Sequence, residues 1–328
     1  MKVYITRMIP EAGLHVLRQA GVEVIQYTGK TNIEKEELVQ SCQQVDALLS
    51  VGPNKLDAAL LQACSHLKGI ALMSAGYDQI DLQAATDNNI PVSNTPDVLS
   101  NATADVAFLL MLAVSRNAFY MHKTIGKKEW SFFEPTANLG IELYGKTLGI
   151  LGLGRIGMSL AQKCTAAYNM QLIYHNRNRN TNAERTFGAR YVSFEQLLQQ
   201  SDVLSVHANL TAATKNMFNK TAFDQMKSSA IFINTARGAL HNEQDLTEAL
   251  VNQQIWGAGL DVTNPEPMLP DNPLLQMRNV CVLPHIGSAT QETRSKMAVV
   301  AANNIVAALQ GRPMPQVLNN TVYQKIQA

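Results

Sequence analysis

The sequence predicts an α/β protein made of two parallel sheets, each covered on both faces by helices. Three observations carry that prediction. Short aliphatic and β-branched runs alternate with helical patterns along most of the chain, as in strand–helix–strand units. Gly152, Gly154 and Gly157 stand in the order GxGxxG, after a strand-like run at 147–151 and before an apolar-periodic segment that leads to a second run at 171–174. With 328 residues, 46% of them hydrophobic and 16% charged, the chain is long enough to fill two ordinary domains.

Strands are expected at residues 3–6, 22–27, 47–49 and 67–72. Between them lie helical patterns from Pro10 to Ala20, at 34–40 and at 55–64. This first part has no glycine motif of its own, so it supplies substrate contacts rather than a second nucleotide site. Residues 51–54 and 74–78 follow strands, on the side where open α/β sheets bind ligands. Around Ala75 and Gly76, beside Ser74, the backbone can turn several N–H groups one way and form an anion nest for a carboxylate. On chemistry alone, an ordinary strand-capping turn competes with that reading.

Residues 84–88, 91–93 and a turn at Thr95 and Pro96 lead to a long helix expected at 101–122. Its apolar residues Val106, Leu109, Leu110, Leu112, Ala113 and Val114 cover most of its circumference, which places it between domains. Trp130, in the WSFFEP segment, reads most simply as a packing anchor, with substrate gating the alternative.

In the glycine motif, Gly152 allows a tight turn, Gly154 lets the backbone approach a pyrophosphate, and Gly157 lets helix and strand pack closely. The following helix start offers N–H groups and the positive dipole end to that phosphate. An NAD site normally carries an acid after the second strand, where it accepts from the adenosine 2′-hydroxyl. Here the text is His175, Asn176, Arg177, Asn178, Arg179. Arg177, aided by Arg179, suits a 2′-phosphate through charge-assisted hydrogen bonds. NADP(H) is therefore expected in preference to NAD(H). The alternative is a solvated arginine turn, with Asn176 serving the ribose of NAD(H).

Beyond Arg179, strands are expected at 203–206, 230–234, 257–260 and 280–283, with helices at 194–200, 221–226, 242–251 and 290–310. The last helix returns the chain to the first domain. The expected domains are 1–98 with 289–328, and 99–288.

A net charge of +1 provides no field for nucleic acid. Cys42, Cys64, Cys164 and Cys281 lack metal-ligand spacing and read as buried free thiols; no metal is expected. The start MKVYITRMIP enters a strand pattern directly and no apolar run reaches membrane-spanning length. A cytoplasmic protein with no membrane partner is the expectation.

Three strand-end segments carry polar residues suited to carbonyl chemistry, around Arg237, Glu266 and His285. Reduction of a ketone develops negative charge on oxygen, so a cation and a proton donor lower the barrier. The planar fork of arginine fits a 2-oxo acid. Histidine can exchange a proton near neutral pH, and a paired carboxylate fixes its tautomer. The structural alternatives are an N-capping ion pair for Arg237, a solvated loop acid for Glu266 and a core-edge histidine for His285. His207 and, more weakly, His241 compete for the acid role.

The segments SAGYDQID, NTPDVLSNATADVAFLLMLA, GKTLGILGLGRIG, INTARGALHNEQDL, GAGLDVTNPEPMLPDNPLL and LPHIGSAT resemble the D-isomer-specific 2-hydroxyacid dehydrogenases over essentially the whole chain. Within that family the likeness is strongest to glyoxylate/hydroxypyruvate and 2-ketogluconate reductases. The resemblance implies a flavodoxin-like substrate domain plus an NAD(P)-binding Rossmann domain, with the active site in the cleft. It also implies that Arg237 binds and polarises the 2-oxo acid, Glu266 holds the histidine, His285 is the general acid/base, and Ser74, Ala75 and Gly76 bind the substrate carboxylate. Motif and resemblance together assign the cofactor to Thr103, Gly152, Gly154, Arg155, Ile156, Gly157, Asn176, Arg177, Arg179, His207, Thr211, Thr235, Ala236, Asp261, His285 and Gly287. A homodimer pairing through the nucleotide domains is implied as well. Two departures stand out: Ala208 and Asn209 replace the CP of the family's CPLT, which loosens a loop near the dinucleotide, and Thr263 and Asn264 replace an aromatic–Glu pair before PEP. The other functions weighed are D-3-phosphoglycerate dehydrogenase, formate or phosphite dehydrogenase, and a nucleotide-sensing corepressor. Formate chemistry is disfavoured because the family then places glutamine where this chain has Glu266.

Overall fold

The computed structural model describes residues 1–326; residues 327 and 328, the last two of the expected first domain, lie outside the described residues. The chain divides into two compact units, Met1–Leu99 with Ala289–Ala328, and Ser100–Ser288.

The first unit is a five-stranded sheet of β1 (Lys2–Ile5), β2 (Glu23–Gln26), β3 (Ala47–Ser50), β4 (Ile70–Leu72) and β5 (Val92–Ser93), in the order β2-β1-β3-β4-β5. Every pairing is parallel. β3 and β4 are buried along their whole length, as strands covered on both faces must be. Helix Glu11–Gln19 packs against helix Gln291–Leu309 so closely that a Cβ on Gly13 would lie 2.8 Å from Ala298 Cβ. Asn319 ties the C-terminal segment to the sheet edge, accepting from the N–H of Val92 (2.8 Å) and donating to the carbonyl of Ile90 (2.9 Å).

The second unit is a seven-stranded parallel sheet of β6 (Thr147–Leu151), β7 (Gln171–His175), β8 (Arg190–Tyr191), β9 (Val203–Val206), β10 (Ile231–Asn234), β11 (Gly257–Leu260) and β12 (Val280–Val282). Its order is β12-β11-β10-β9-β6-β7-β8. The chain therefore runs outward from β6 to β8, returns to β9 on the other side of β6, and continues to β12. That reversal is the topological switch point at which open α/β sheets bind ligands, beyond the carboxyl ends of the strands. Because all seven strands point one way, the segments after β6, β7, β9, β10, β11 and β12 share one edge.

Several expectations need correction. The single helix expected at 101–122 is two helices, Ser100–Ser115 and Ala118–Gly126, bent by 64°. The break is at Asn117, whose φ is 51°, a left-handed conformation that asparagine tolerates better than other non-glycine residues. Leu109 on the first of these helices is 48% exposed rather than enclosed. Trp130 is no packing anchor within this chain: it is 70% exposed, close in sequence to the exposed Phe132 and Phe133. Helix Thr181–Phe187 and the two-residue β8 were not anticipated, because the polar TNAERTFG run shows no apolar period. The four cysteines are buried and unpaired. Among the described residues no single helix is long and apolar enough to cross a membrane, although the bent pair would pass on length and composition.

Candidate active site

The turn after β6 is built on glycine for distinct reasons. Gly152 has φ +89°, and a Cβ there would also sit 2.5 Å from the Ala208 nitrogen. Any side chain would force apart the loops after β6 and β9. Gly154 precedes helix Arg155–Tyr168, and a Cβ on it would meet nothing within 4 Å. The approach to the helix N-terminus is thus open, which fits a pyrophosphate held by the helix-start N–H groups. A Cβ on Gly157 would lie 3.0 Å from the Gly152 carbonyl oxygen, so this position sets how closely helix and turn pack.

The end of β7 braces that turn. Asn176 Oδ1 accepts from the Leu153 N–H at 2.6 Å, and Asn180 Nδ2 donates to the Leu153 carbonyl at 2.8 Å. The side-chain oxygen of Asn176 is therefore engaged with the protein itself. Arg177 is exposed. Arg179 meets Glu184 in a two-pronged pair, Nε to Oε1 at 3.0 Å and Nη2 to Oε2 at 2.9 Å. Glu184 lies on the unanticipated helix Thr181–Phe187, so the region after β7 does contain a carboxylate that a reading of residues 175–179 misses.

The candidate catalytic groups come from three neighbouring strand ends. His285, after β12, has φ 54°, and its Nδ1 lies 2.5 Å from Glu266 Oε1. Both side chains are nearly half exposed, 48% and 42%. Burial raises the Glu266 carboxyl, but the hydrogen bond and charge of His285, the Thr263 backbone and the charge of Arg237 outweigh it and leave it below the ordinary glutamate value. Two cis prolyl bonds, Asn264–Pro265 and Glu266–Pro267, flank Glu266. Asp261, 1% exposed, accepts from the N–H groups of Ile286 (2.8 Å) and Gly287 (2.7 Å). Burial pushes the Asp261 carboxyl up, and those two donors and the charge of His285 oppose it. Thr103 joins this corner, since a Cβ on Gly287 would be 2.9 Å from Asp261 Oδ2 and 3.4 Å from Thr103 Oγ1.

Arg237 follows β10 on a loop that Asn234 holds. Asn234 is fully buried; its Oδ1 accepts from the Ala236 N–H at 3.0 Å, and its Nδ2 donates to the Arg237 carbonyl at 2.8 Å. Arg237 Nη1 folds onto the Ala236 carbonyl at 2.7 Å. A Cβ on Gly238 would lie 2.0 Å from the Thr263 oxygen, so the arginine loop rests on the backbone that leads to Glu266. The site residue that sequence reasoning missed here is Asn234; a polar side chain ending a buried strand was the available signal.

The rival histidines do not suit the acid role. Burial pushes His207 down to about 4, with Nε2 2.9 Å from Ser205 Oγ and Nδ1 3.5 Å from Thr235 Oγ1. His241 is fully buried, is likewise pushed down to about 4 by burial, and pairs through Nδ1 with Asn234 Nδ2 at 3.0 Å. Burial thus disfavours the protonated form of both rings, which is the form a general acid needs. Thr211 is exposed, in a turn where its Oγ1 meets Thr214 Oγ1 at 3.1 Å. Of the departures before PEP, Thr263 is 7% exposed and donates to the Pro265 carbonyl at 2.8 Å, so its side chain folds inward onto its own loop. In the first unit, the 74–76 loop is fixed through its carbonyls: Gly76 accepts from Ser74 Oγ (2.7 Å), Ala75 from Asn94 Nδ2 (2.7 Å) and Ser74 from the Thr95 N–H (2.9 Å). Among the described residues, no group of three or more His, Cys, Asp or Glu could hold a metal.

A glycine turn at the switch point of a parallel sheet, on the same edge as an Arg, a Glu and a His, defines the class: a nucleotide-dependent oxidoreductase. Comparison with known proteins narrows this. The chain belongs to the D-isomer-specific 2-hydroxyacid dehydrogenase family, whose NAD binding domain profile matches residues 108–287. It is 41% identical over 325 residues, 98% of this chain and 97% of the other, to a glyoxylate reductase of Thermococcus litoralis. A solved structure from Thermus thermophilus superposes with TM-score 0.90 at 39% identity, covering 97% of this chain and 100% of that one. A second, an NADPH-dependent glyoxylate/hydroxypyruvate reductase of Sinorhizobium meliloti in complex with NADP and malonate, has TM-score 0.85 at 28% identity, covering 98% and 97%. The chain is accordingly an enzyme of the dehydrogenase/reductase type, within a family that acts on small 2-oxo and 2-hydroxy acids.

Proposed function

We propose that this enzyme reduces small 2-oxo acids, with glyoxylate and hydroxypyruvate foremost and 2-keto-D-gluconate a further candidate, to the D-2-hydroxy acids, and that it prefers NADPH. The observation that carries the reading is the Glu266–His285 pair, 2.5 Å apart, on the edge that also bears Arg237 and the glycine turn. Glu266, held ionised below its ordinary range, accepts from Nδ1 of His285 and leaves Nε2 as the face that carries the transferable proton. His285 donates that proton to the carbonyl oxygen as charge develops there, and Arg237 stabilises the same charge while its fork meets the carboxylate. The N–H groups of Ala75 and Gly76, with Ser74, are assigned the substrate carboxylate. The helix-start N–H groups and the surface above Gly154 would hold the pyrophosphate, Arg177 the 2′-phosphate, and Thr103, Asp261 and Gly287 the nicotinamide end. When bound, the reduced nicotinamide supplies the hydride that reaches C2.

The NADPH preference rests on Arg177 and on the absence of an acid at the last residues of β7; the Sinorhizobium relative described as NADPH-dependent supports it. Dimerisation through the second unit is proposed because Leu109, Trp130, Phe132, Phe133, Leu139 and Tyr144 are all exposed there. A cytoplasmic location is part of the same proposal.

Steady-state reduction of glyoxylate, hydroxypyruvate and 2-keto-D-gluconate, each with NADPH and NADH, tests the reading. Turnover of glyoxylate or hydroxypyruvate with a higher kcat/KM for NADPH is expected. No turnover of any of the three would overturn the substrate assignment, and a higher kcat/KM with NADH would overturn the cofactor assignment.

A further inference from the structure

The cation cluster after β7 holds a charge arrangement that the cofactor reading alone does not explain. Arg177 and Arg179 bring two positive charges to the place proposed for the 2′-phosphate, yet Arg179 is clamped. Glu184 takes its Nε and Nη2 at 3.0 and 2.9 Å, and the Tyr191 ring centroid lies 5.8 Å from its guanidinium carbon. Glu184 is itself anchored. The hydroxyl of Tyr174, a fully buried residue, donates to Oε1 at 2.6 Å and accepts from the Asn180 N–H at 2.8 Å. Asn180 in turn caps helix Thr181–Phe187 and reaches the glycine turn through the Leu153 carbonyl at 2.8 Å. The carboxylate is thus fixed by groups that belong to the fold, and the arginine comes to it.

Resting on the NADPH reading, we propose that Glu184 is a specificity-determining residue that tempers the selection of NADPH over NADH. It compensates the charge of Arg179 and leaves Arg177 as the principal cation for the 2′-phosphate. A 2′-phosphate near this pair meets one uncompensated arginine and a carboxylate within one side chain's reach. A 2′-hydroxyl carries no charge, and because both Glu184 oxygens are already engaged, by Arg179 and Tyr174, it gains and loses little by this carboxylate. Removing the charge of Glu184 while keeping its shape therefore releases Arg179 toward the phosphate and strengthens only the phosphorylated cofactor. The effect is that of a single charge-assisted contact at an exposed site, about threefold to tenfold in affinity, and it weakens as salt rises.

The test is calorimetric titration of the intact protein with NADPH and with NADH, without any 2-oxo acid, for wild type, Glu184→Gln, Arg177→Ala and the double variant Arg179→Ala/Glu184→Gln. In Glu184→Gln the dissociation constant for NADPH should fall by about threefold to tenfold while that for NADH moves less than twofold, and the double variant should lose the gain. Thermal unfolding of each variant separates these shifts from loss of fold, and should Glu184→Gln prove unstable, Glu184→Met, which removes the same charge at similar size, is titrated in its place with the same expected change in the NADPH and NADH constants. An equal change for both cofactors, or weaker NADPH binding in Glu184→Gln, would overturn the inference and make Glu184 a support or an orienting partner for Arg179. The two readings fail separately: a wild type that binds NADH more tightly, with Arg177→Ala leaving the ratio unmoved, rejects the cofactor reading, whereas the change of the ratio in Glu184→Gln judges Glu184.

Discussion

Gly238→Ala isolates the contact that joins the arginine loop to the loop bearing Glu266. Gly238 needs no left-handed backbone, so alanine offends only by its size. Its Cβ would sit 2.0 Å from the Thr263 oxygen and 2.2 Å from the Thr263 carbon. Both are backbone atoms, and Thr263 is buried, so nothing flexible can swing aside. An approach of 2.0 Å has to open to at least 3.0 Å, which separates the two loops by about 1 Å. The arginine side cannot slide freely, because Asn234 grips the Ala236 N–H and the Arg237 carbonyl. Overpacking of this kind costs about 1–3 kcal/mol, and a misplacement of about 1 Å between reacting groups costs about a hundredfold in rate. Steady-state kinetics with glyoxylate and NADPH, beside denaturant unfolding, should show kcat/KM down by about a hundredfold with a stability loss of that size. A Gly238→Ala enzyme with wild-type kcat/KM would refute the claim that this contact sets the spacing of Arg237 and Glu266.

Other predictions follow from neighbouring groups. Asp261→Asn turns one of the acceptors facing the Ile286 and Gly287 N–H groups into a donor, leaving a buried donor unpaired at a cost of about 1–3 kcal/mol; denaturant unfolding should show that loss together with a fall in kcat, and an unchanged unfolding midpoint would contradict it. His241, buried and pushed down to about 4, binds a proton in the unfolded chain from about pH 6.5 downward but resists it when folded. The stability it permits is present above pH 6.5 and lost as pH falls through about 4, up to about 3 kcal/mol. Unfolding midpoints measured from pH 7.5 to 4 should therefore decline less steeply in His241→Gln than in wild type; identical slopes would argue against a neutral buried ring.

Much of this protein was legible because its signals are local. A glycine that must adopt φ +89° and runs of aliphatic residues between turns announce a parallel sheet without knowledge of the partners. The layout of the second unit follows, since parallel strands deliver every strand-end motif to one edge. What escaped depended on contacts remote in sequence or on the absence of a local signal. The helix break at Asn117 shows as a single residue in an otherwise helical pattern. Trp130 looked like a core residue because its chemistry is apolar, yet composition does not say what covers a side chain. Glu184 lies nine residues beyond the end of β7 and is brought to Arg179 by a helix with no apolar period. The contact of Gly238 with Thr263 exists only once β10 and β11 pair, whereas the hold of Asn234 on the arginine loop spans two and three residues, its local signal being a polar side chain at the end of an apolar run.

His285 is the group proposed to protonate the substrate oxygen, so the most direct measurement is on His285→Ala. The variant's kcat for glyoxylate with saturating NADPH should fall by about a hundredfold or more, while its calorimetric dissociation constant for NADPH stays within about twofold of wild type. A variant that turns over glyoxylate at the wild-type rate would contradict the account, whatever its affinity for the nucleotide.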